Sequence, residues 1–344
     1  MMTPRPTPPT LLTLGLVIGA AWLSGGCIET GIRPGDLEEV VSGNPAPVED
    51  PLVVDRVVQV TQPQVDVLFV IDNSGSMRAH QDNLSANFPA FMRTFDGSGL
   101  DFHVGVTSTD TNVTGGRCDE DPAALNGRLN SAMGHRWIDE TTLNPVGVLQ
   151  SLATLGTNGS GCERGLAATY RAREEQIDAN AGFFRDDAGL HVVVLSDEQD
   201  QSDQATPELV PIDDFIDWME GQRGPNTSVS FSSFVCVASA APCQAFDLGT
   251  RYLDVTDAVG GIVWDINDDI DLGVNAVASS IVANAGFRTL ELASTPADPA
   301  ALEVTIDGVL LDASEYSYDV DSNSVVLTDA APDGADIVVR WPEA

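Results

Sequence analysis

The fold of this chain is decided by residues 65–77, VDVLFVIDNSGSM. Residues 65–71 are almost entirely apolar and rich in β-branched side chains. A short continuous run of this kind predicts a strand that is buried on both faces, as in a parallel sheet covered by helices. The run ends abruptly at Asp72, and open α/β sheets bind their ligands at the carboxyl ends of such strands. The stretch therefore predicts an α/β sheet with a functional site at Asp72.

Three oxygen-bearing side chains alternate directly after this strand. Asp72, Ser74 and Ser76 occupy every second position, so a tight loop can direct one carboxylate and two hydroxyls toward one point. All three are hard oxygen donors, which suit Mg²⁺, Mn²⁺ or Ca²⁺ and do not suit zinc. The spacing therefore predicts a divalent cation site. Asp-Ser-Gly clusters are also common in turns, and either serine alone could cap a following helix.

The D-x-S-x-S pattern of residues 72–76 resembles the metal-ion-dependent adhesion site of von Willebrand factor A (vWA) domains. That family adds a threonine and a second aspartate from two later loops. Thr157 precedes a helical stretch at residues 163–174, and Asp197 follows a second apolar strand at residues 191–195. Both positions of the family pattern therefore have candidates in the expected order.

The resemblance covers residues 65–285 and implies how a cation would be held. The hydroxyls would bind it directly and the carboxylates directly or through water, with one position open for an Asp or Glu of a protein ligand. The implied metal ligands are Asp72, Ser74, Ser76, Thr157 and Asp197. Glu198 and Asp200 lie beside Asp197 and could tune the site or bind a second cation, although such residues are more often solvated.

The acidic charge of the chain and its lack of lysine argue against several classes of function. It has 52 acidic and 16 basic residues, a net charge of −36, and every basic residue is arginine. Without lysine there can be no Walker A phosphate loop and no Schiff-base lysine. A haloacid-dehalogenase-type phosphatase is disfavoured because it needs a lysine, and a second Asp where Ser74 stands. The acidic balance argues against binding to nucleic acid and to anionic lipid, and it favours a well-solvated surface.

The sequence also lacks a nucleophile paired with a base, so we predict that the protein is not an enzyme. Ser160 and Cys162 lie near Glu163, but no G-x-S-x-G elbow is present. His103 and His191 fall at strand starts, where a hydrogen-bonded core or edge histidine is usual. Metal-dependent phosphoryl transfer stays open in principle, although it would require more carboxylate ligands than the predicted set offers.

Residues 1–26 have the features of a secretory signal. The apolar run at residues 11–23 is short for a membrane span, and three small residues precede Cys27. This arrangement resembles a bacterial lipoprotein processing site, although Ser24 stands where leucine is usual. We predict a lipid on Cys27, a flexible tether over residues 27–52, and a location in the cell envelope, at the periplasmic or cell-surface face of the outer membrane. The alternative is ordinary cleavage nearby, which would leave Cys27 a spare thiol.

The remaining cysteines form an even set, which predicts disulfides in an oxidising compartment. They are Cys118, Cys162, Cys236 and Cys243. Cys236 and Cys243 are close in sequence, so a local bridge is plausible. That pairing would leave Cys118 to pair with Cys162. Three pairings are formally possible.

The chain is long enough for about two domains. Apolar strands alternate with helical patterns through residues 53–285, which predicts a doubly wound, mostly parallel sheet with flanking helices. Residues 55–61 could add a short edge strand. After residue 285 only short alternating strands separated by Asp-Gly and Asp-Ser-Asn turns remain, so residues 286–344 predict a small all-β, sandwich-like module.

Two functions from different classes fit these features. The first is a lipid-anchored adhesion or protein-binding module that presents its cation to a partner. The second is a structural envelope lipoprotein whose metal only holds three loops together. The sequence does not choose between them.

Overall fold

The strand that precedes Asp72 lies at the centre of a six-stranded sheet in the computed structural model. The structure describes residues 52–58, 63–95, 98–112, 123–204, 210–224, 227–239, 243, 247–332 and 335–342. The predictions for residues 1–51 and for Cys118 therefore lie outside the described residues. Within these ranges no helix is both long and apolar enough to cross a membrane.

The sheet has the strand order of a doubly wound fold. The first strand that the structure describes, β1 (Leu52–Val58), is not part of this sheet. The strands of the sheet are, in chain order, β2 (Gln64–Ile71), β3 (Asp101–Ser108), β4 (Trp137–Ile138), β5 (Gly189–Leu195), β6 (Val229–Val235) and β7 (Val263–Asp265). Across the sheet the order is β4-β3-β2-β5-β6-β7, and all pairs are parallel except β3 with β4. The order reverses between β2 and β5, which is where ligands bind in such sheets.

Helices cover both faces of this sheet. The first face packs against α1 (Arg78–Phe95), α2 (Pro145–Ala153) and α6 (Ile270–Asn284), and the second against α3 (Gly165–Glu174), α4 (Ile212–Gly221) and α5 (Thr250–Val259). The predicted doubly wound, mostly parallel α/β sheet is therefore confirmed. The helical stretch predicted at residues 163–174 and the strand predicted at residues 191–195 correspond to α3 and β5.

Alternation along β2 explains how one strand serves two cores. Val67 and Phe69 contribute to the core on the first face, whereas Leu68 and Val70 contribute to the core on the second. The Phe69 ring makes edge contacts with two aromatic rings of α1, at centroid distances of 5.3 and 5.4 Å. Burial of each such side chain stabilises the fold by about 1.5–3 kcal/mol, which fits the fully apolar composition of residues 67–71.

Pro89 lies inside α1, where proline removes a hydrogen bond. Because it has no N–H group, it cannot donate to the carbonyl of Ser85, four residues earlier. The side chain of Gln150 in α2 supplies the missing donor, and its Nε2 lies 2.9 Å from that carbonyl oxygen. The neighbouring helix thus satisfies the group that the proline leaves unpaired.

The C-terminal module consists of two small antiparallel sheets. Its strands are β8 (Phe287–Glu291), β9 (Glu303–Ile306), β10 (Val309–Leu310), β11 (Tyr316–Asp319), β12 (Ser324–Ala331) and β13 (Asp336–Pro342). The sheets have the orders β1-β13-β9-β10 and β11-β12-β8, and they share one hydrophobic core. The predicted all-β module is confirmed. The edge strand predicted at residues 55–61 is present as β1 over residues 52–58, but its predicted place at the start of the α/β part is wrong, because it pairs with β13 of this module.

Candidate metal site

Asp72 lies at the switch between β2 and β5. Its side chain is fully buried, and its backbone N–H donates to the carbonyl of Leu195 at 2.9 Å. The N–H of Ser74 donates to Oδ1 at 2.8 Å, and the hydroxyl of Ser196 donates to Oδ2 at 2.7 Å. Asp72 therefore has a fixed orientation at the base of the site, with one partner from each of the two adjacent strand ends.

Hydroxyl groups connect this base to the surface. The Oγ atoms of Ser74 and Ser76 are 3.2 Å apart, and Ser76 donates to Oδ1 of Asp197 at 3.1 Å. Ser74 is buried, Ser76 is exposed and Asp197 is partly exposed. Four of the five predicted ligands are thus brought together, and they form a cleft that is buried at Asp72 and open at Ser76.

The loop of Thr157 is held beside the Asp72 loop by the protein itself. Nε2 of Gln81 donates to the carbonyl of Asp72 at 2.7 Å and to that of Gly156 at 2.9 Å. Gly159 also donates to the carbonyl of Asn73 at 2.9 Å. Thr157 is partly exposed, and among the described residues no hydrogen bond joins its side chain to the other four predicted ligands.

The acidic groups of the cleft oppose one another's ionisation. Burial raises the pKa of Asp72, and the charge of Asp197 raises it further. The hydrogen bonds from Ser74 and Ser196 lower this pKa but do not offset the increase, and the resulting pKa is about 6. Burial likewise raises the pKa of Glu198 to about 7, with further contributions from Asp72 and Asp197. An added positive charge would relieve this repulsion.

Buried carboxylates elsewhere in the described chain show what this cleft lacks. Asp66 is paired with Arg185 at 2.8 Å, and Asp200 with Arg251 at 3.0 Å. Within the described residues no arginine pairs with Asp72 or Asp197. A buried carboxylate without a positive partner is unfavourable, so a cation is the group that the site would accommodate. The oxygen donors fit Mg²⁺, Mn²⁺ or Ca²⁺.

Several residues that complete this edge of the sheet are not predicted by the sequence pattern. Glu163, which the sequence offers only as the start of a helical stretch and as an acid near Ser160 and Cys162, is buried. Burial, followed by repulsion from Asp72, raises its pKa well above the usual value. Gln81, Ser196 and Thr109 position the loops or carboxylates of the cleft. The available signal for Glu163 was its position just before an apolar helix, in the same loop as Thr157.

Asp200 departs from the expectation that it is solvated. It is fully buried, accepts from the N–H of Leu166 at 3.1 Å, and pairs with Arg251. It therefore caps the amino end of α3 and does not face the cleft as a free ligand. Within the described residues no group of three or more His, Cys, Asp and Glu side chains is arranged to hold a metal, so the candidate site depends on its hydroxyls.

His191 and the cysteines among the described residues have structural environments. His191 is buried between the hydroxyls of Ser228 and Ser230, at 3.1 and 2.8 Å, and burial lowers its pKa to about 3. Cys236 forms a disulfide with Cys243, the local pairing that the sequence suggests. Cys162 is disulfide-bonded as well, and its suggested partner lies outside the described residues.

Comparison with known proteins establishes no family. No protein-family model matches the chain, and no curated protein matches it in sequence. Solved structures that resemble it distantly include the pilus adhesin SpaC of Lactobacillus rhamnosus GG (TM-score 0.37, 11% identity), proximal thread matrix protein 1 of the mussel byssus (0.35, 10%) and the human COPII-coat protein Sec24c (0.41, 11%).

The matches cover 89, 66 and 84% of this chain, but the chain spans less than half the length of each of those proteins, 44, 48 and 41% respectively. Similarity at this level carries no argument about function.

Proposed function

We propose that the protein is a cell-envelope lipoprotein whose vWA-type domain binds one divalent cation and uses it to bind another protein. The observation that supports this proposal is the convergence of Asp72 and Asp197, neither paired with arginine among the described residues, on two serine hydroxyls at the switch between β2 and β5. The cation would be Mg²⁺, Mn²⁺ or Ca²⁺.

Each residue has a distinct part in this proposal. Asp72 provides the buried negative charge, and Ser74 and Ser76 extend the donor set from the base to the open end of the cleft. Asp197 completes the set from the loop after β5, and the loop before α3 supplies one further ligand, which the resemblance to vWA domains implies to be Thr157. When bound, the cation would supply positive charge for a carboxylate of the partner. The exposed side of Ser76 is where such a carboxylate would enter.

One observation favours binding over the purely structural alternative. Gln81 already joins the Asp72 and Thr157 loops, and Gly159 adds a backbone hydrogen bond to Asn73. Because protein groups hold these loops together, a cation is less necessary as a link. We therefore expect the metal to serve recognition.

The test is recovery of a partner from the source organism with the full-length protein, in Mg²⁺ and in EDTA. Asp72→Asn is the matched variant, since it keeps the shape of the side chain and removes its charge. We expect a partner captured by the wild type in Mg²⁺ and lost in EDTA and with Asp72→Asn, while circular dichroism shows the variant to be folded. Capture that is unchanged in EDTA would contradict cation-dependent recognition. Loss of folding in EDTA would favour the structural alternative.

The envelope location depends on Cys27. Intact-mass measurement of membrane-extracted protein should find a lipid on Cys27, and alkylation without reductant should leave the other four cysteines unmodified. An unmodified Cys27 thiol would contradict the lipid anchor without affecting the cation site.

A further inference from the structure

Glu163 is a buried carboxylate beside Asp72 for which the predicted metal set has no role. Its side chain is fully buried, and after burial the charge of Asp72 is the strongest influence on its pKa. Asp110 and Glu198 contribute further repulsion. A negative group thus lies at the base of the cleft among other negative groups.

The surrounding backbone fixes Glu163 in this position. Thr109 donates its N–H to the carbonyl of Ile71 at 3.2 Å and accepts the N–H of Arg164 at 3.1 Å. The carbonyl of Glu163 accepts from Gln201 at 2.6 Å. The residue is therefore attached to the end of β3, which itself contacts the end of β2, and to the loop after β5, and its backbone is held on both sides.

The two carboxylate oxygens of Glu163 have different environments. Oε2 accepts a hydrogen bond from the hydroxyl of Thr109. Oε1 is buried and has no hydrogen-bond partner among the described residues. The two buried carboxylates paired with arginine, Asp66 and Asp200, have both of their oxygens occupied. A buried carboxylate oxygen without a partner lowers the stability of the fold, and a positively charged ligand at Oε1 would remove this cost.

We propose that Glu163, in place of Thr157, is the residue of the middle loop that binds the cation of this cleft. The inference rests on the proposed function, and it reassigns one of that site's ligands. Asp72 and Glu163 supply the two carboxylates that bind directly, and Ser74 and Ser76 supply hydroxyls. Asp197 binds only through water at the open end, since no three acidic side chains among the described residues are arranged to hold a metal together. A carboxylate is a stronger ligand than a hydroxyl for a hard divalent cation, and the number of charged ligands sets the affinity.

A purely structural role makes a different prediction. If Glu163 served only to accept from Thr109, an isosteric amide would do so equally well through its carbonyl oxygen. Glu163→Gln would then bind a cation as the wild type does. If Glu163 binds the metal, the same change removes a charged ligand and keeps the shape of the core.

The experiment is calorimetric titration of the full chain with Mn²⁺ and with Ca²⁺ alone, for the wild type, Glu163→Gln and Thr157→Val. We expect Glu163→Gln to weaken binding by at least about tenfold and Thr157→Val to leave it close to that of the wild type. Thermal unfolding with and without the cation gives a second measurement, in which Glu163→Gln loses the stabilisation and Thr157→Val keeps it. Circular dichroism verifies that both variants fold.

A measurement on the wild type avoids dependence on any variant. In crystals grown with Mn²⁺, the anomalous signal should lie within about 2.0–2.6 Å of Glu163 Oε1. A signal that contacts Thr157 and not Glu163, or equal affinities for Glu163→Gln and the wild type, would overturn the inference and leave the proposed function intact. A wild type that binds neither cation would contradict both.

Discussion

The hydroxyl of Ser76 donates to Oδ1 of Asp197 at 3.1 Å, although the two residues are 121 positions apart in the chain. The contact follows from topology, because β2 and β5 are parallel neighbours and both loops leave the same edge of the sheet. Asp72 is joined to the second loop in the same way, through the hydroxyl of Ser196. The proposed function depends on this meeting of two loops.

The first prediction concerns stability and pH in the absence of metal. The pKa of Asp72 is raised from 3.8 to about 6, so the folded protein holds a proton that the unfolded chain has released. The resulting stability is fully present below pH 4 and is lost as the pH rises through about 6. For Asp72 alone the loss is on the order of 2–3 kcal/mol.

Urea unfolding in EDTA at a series of pH values measures this effect. We expect the free energy of unfolding to fall between pH 4 and pH 7 in the wild type and to fall less in Asp72→Asn, which cannot ionise. Other buried acids, such as Asp66 and Glu163, add to the slope in both proteins. An identical slope in both proteins would contradict the assignment to Asp72.

The second prediction concerns Gln81, which joins two loops of the cleft. Gln81→Leu preserves the volume of the side chain and leaves the carbonyls of Asp72 and Gly156 without their donor. We expect a loss of about 1–3 kcal/mol in stability and of about tenfold or more in cation affinity. Chemical unfolding and calorimetric titration give the two values.

Gln150→Leu is a matched control for this change. Gln150 also donates to a backbone carbonyl, but this carbonyl belongs to Ser85 at the contact between α1 and α2 and not to a loop of the cleft. The variant should reduce stability by a similar amount and leave cation affinity unchanged. Equal effects of the two variants on cation affinity would mean that Gln81 does not position the site.

The third prediction concerns Arg251, the positive partner of buried Asp200. Arg251→Met leaves that carboxylate without compensation at the amino end of α3, so we expect a loss of about 3–5 kcal/mol. Glu175→Gln removes the exposed pair with Arg171 and should change stability by no more than about 1 kcal/mol. Urea unfolding compares the two. Losses of similar size would mean that the buried pair does not stabilise the loop after β5.

The fourth prediction concerns the rate of association with a partner. The net charge of −36 opposes the approach of an acidic surface, and added salt screens that repulsion. We therefore expect the association rate in Mg²⁺ to rise, or at least not to fall, with ionic strength. Surface plasmon resonance with a recovered partner measures this rate. A steep fall between low and physiological salt would indicate a basic partner on the acidic surface.

Much of this fold was predictable because its strongest signals are local. The apolar run at residues 65–71 and the abrupt change at Asp72 require no knowledge of the rest of the chain. The strand at β4 was not predictable, because two residues gain their extended pairing only from contact with β3. The helix α5 is similarly difficult to predict, since it contains the β-branched residues Val255 and Thr256, which are buried in the core.

The candidate site was predictable in part. The spacing of Asp72, Ser74 and Ser76 and the position of Asp197 are visible in the sequence, because each directly follows an apolar strand. The environments of Glu163 and Asp200 are not visible, since acidic residues near a helix start are usually solvated. Only tertiary packing shows that Asp200 is paired with arginine and that Glu163 has an oxygen without a hydrogen-bond partner.

The central claim is that the cleft at Asp72 binds a divalent cation through its hydroxyls and carboxylates. The most direct test is calorimetric titration of Mg²⁺ and Mn²⁺ into the wild type and into the double variant Ser74→Ala/Ser76→Ala. The account predicts one bound cation in the wild type and a much lower affinity in the double variant. Equal affinity in both proteins, or no binding to the wild type, would contradict it.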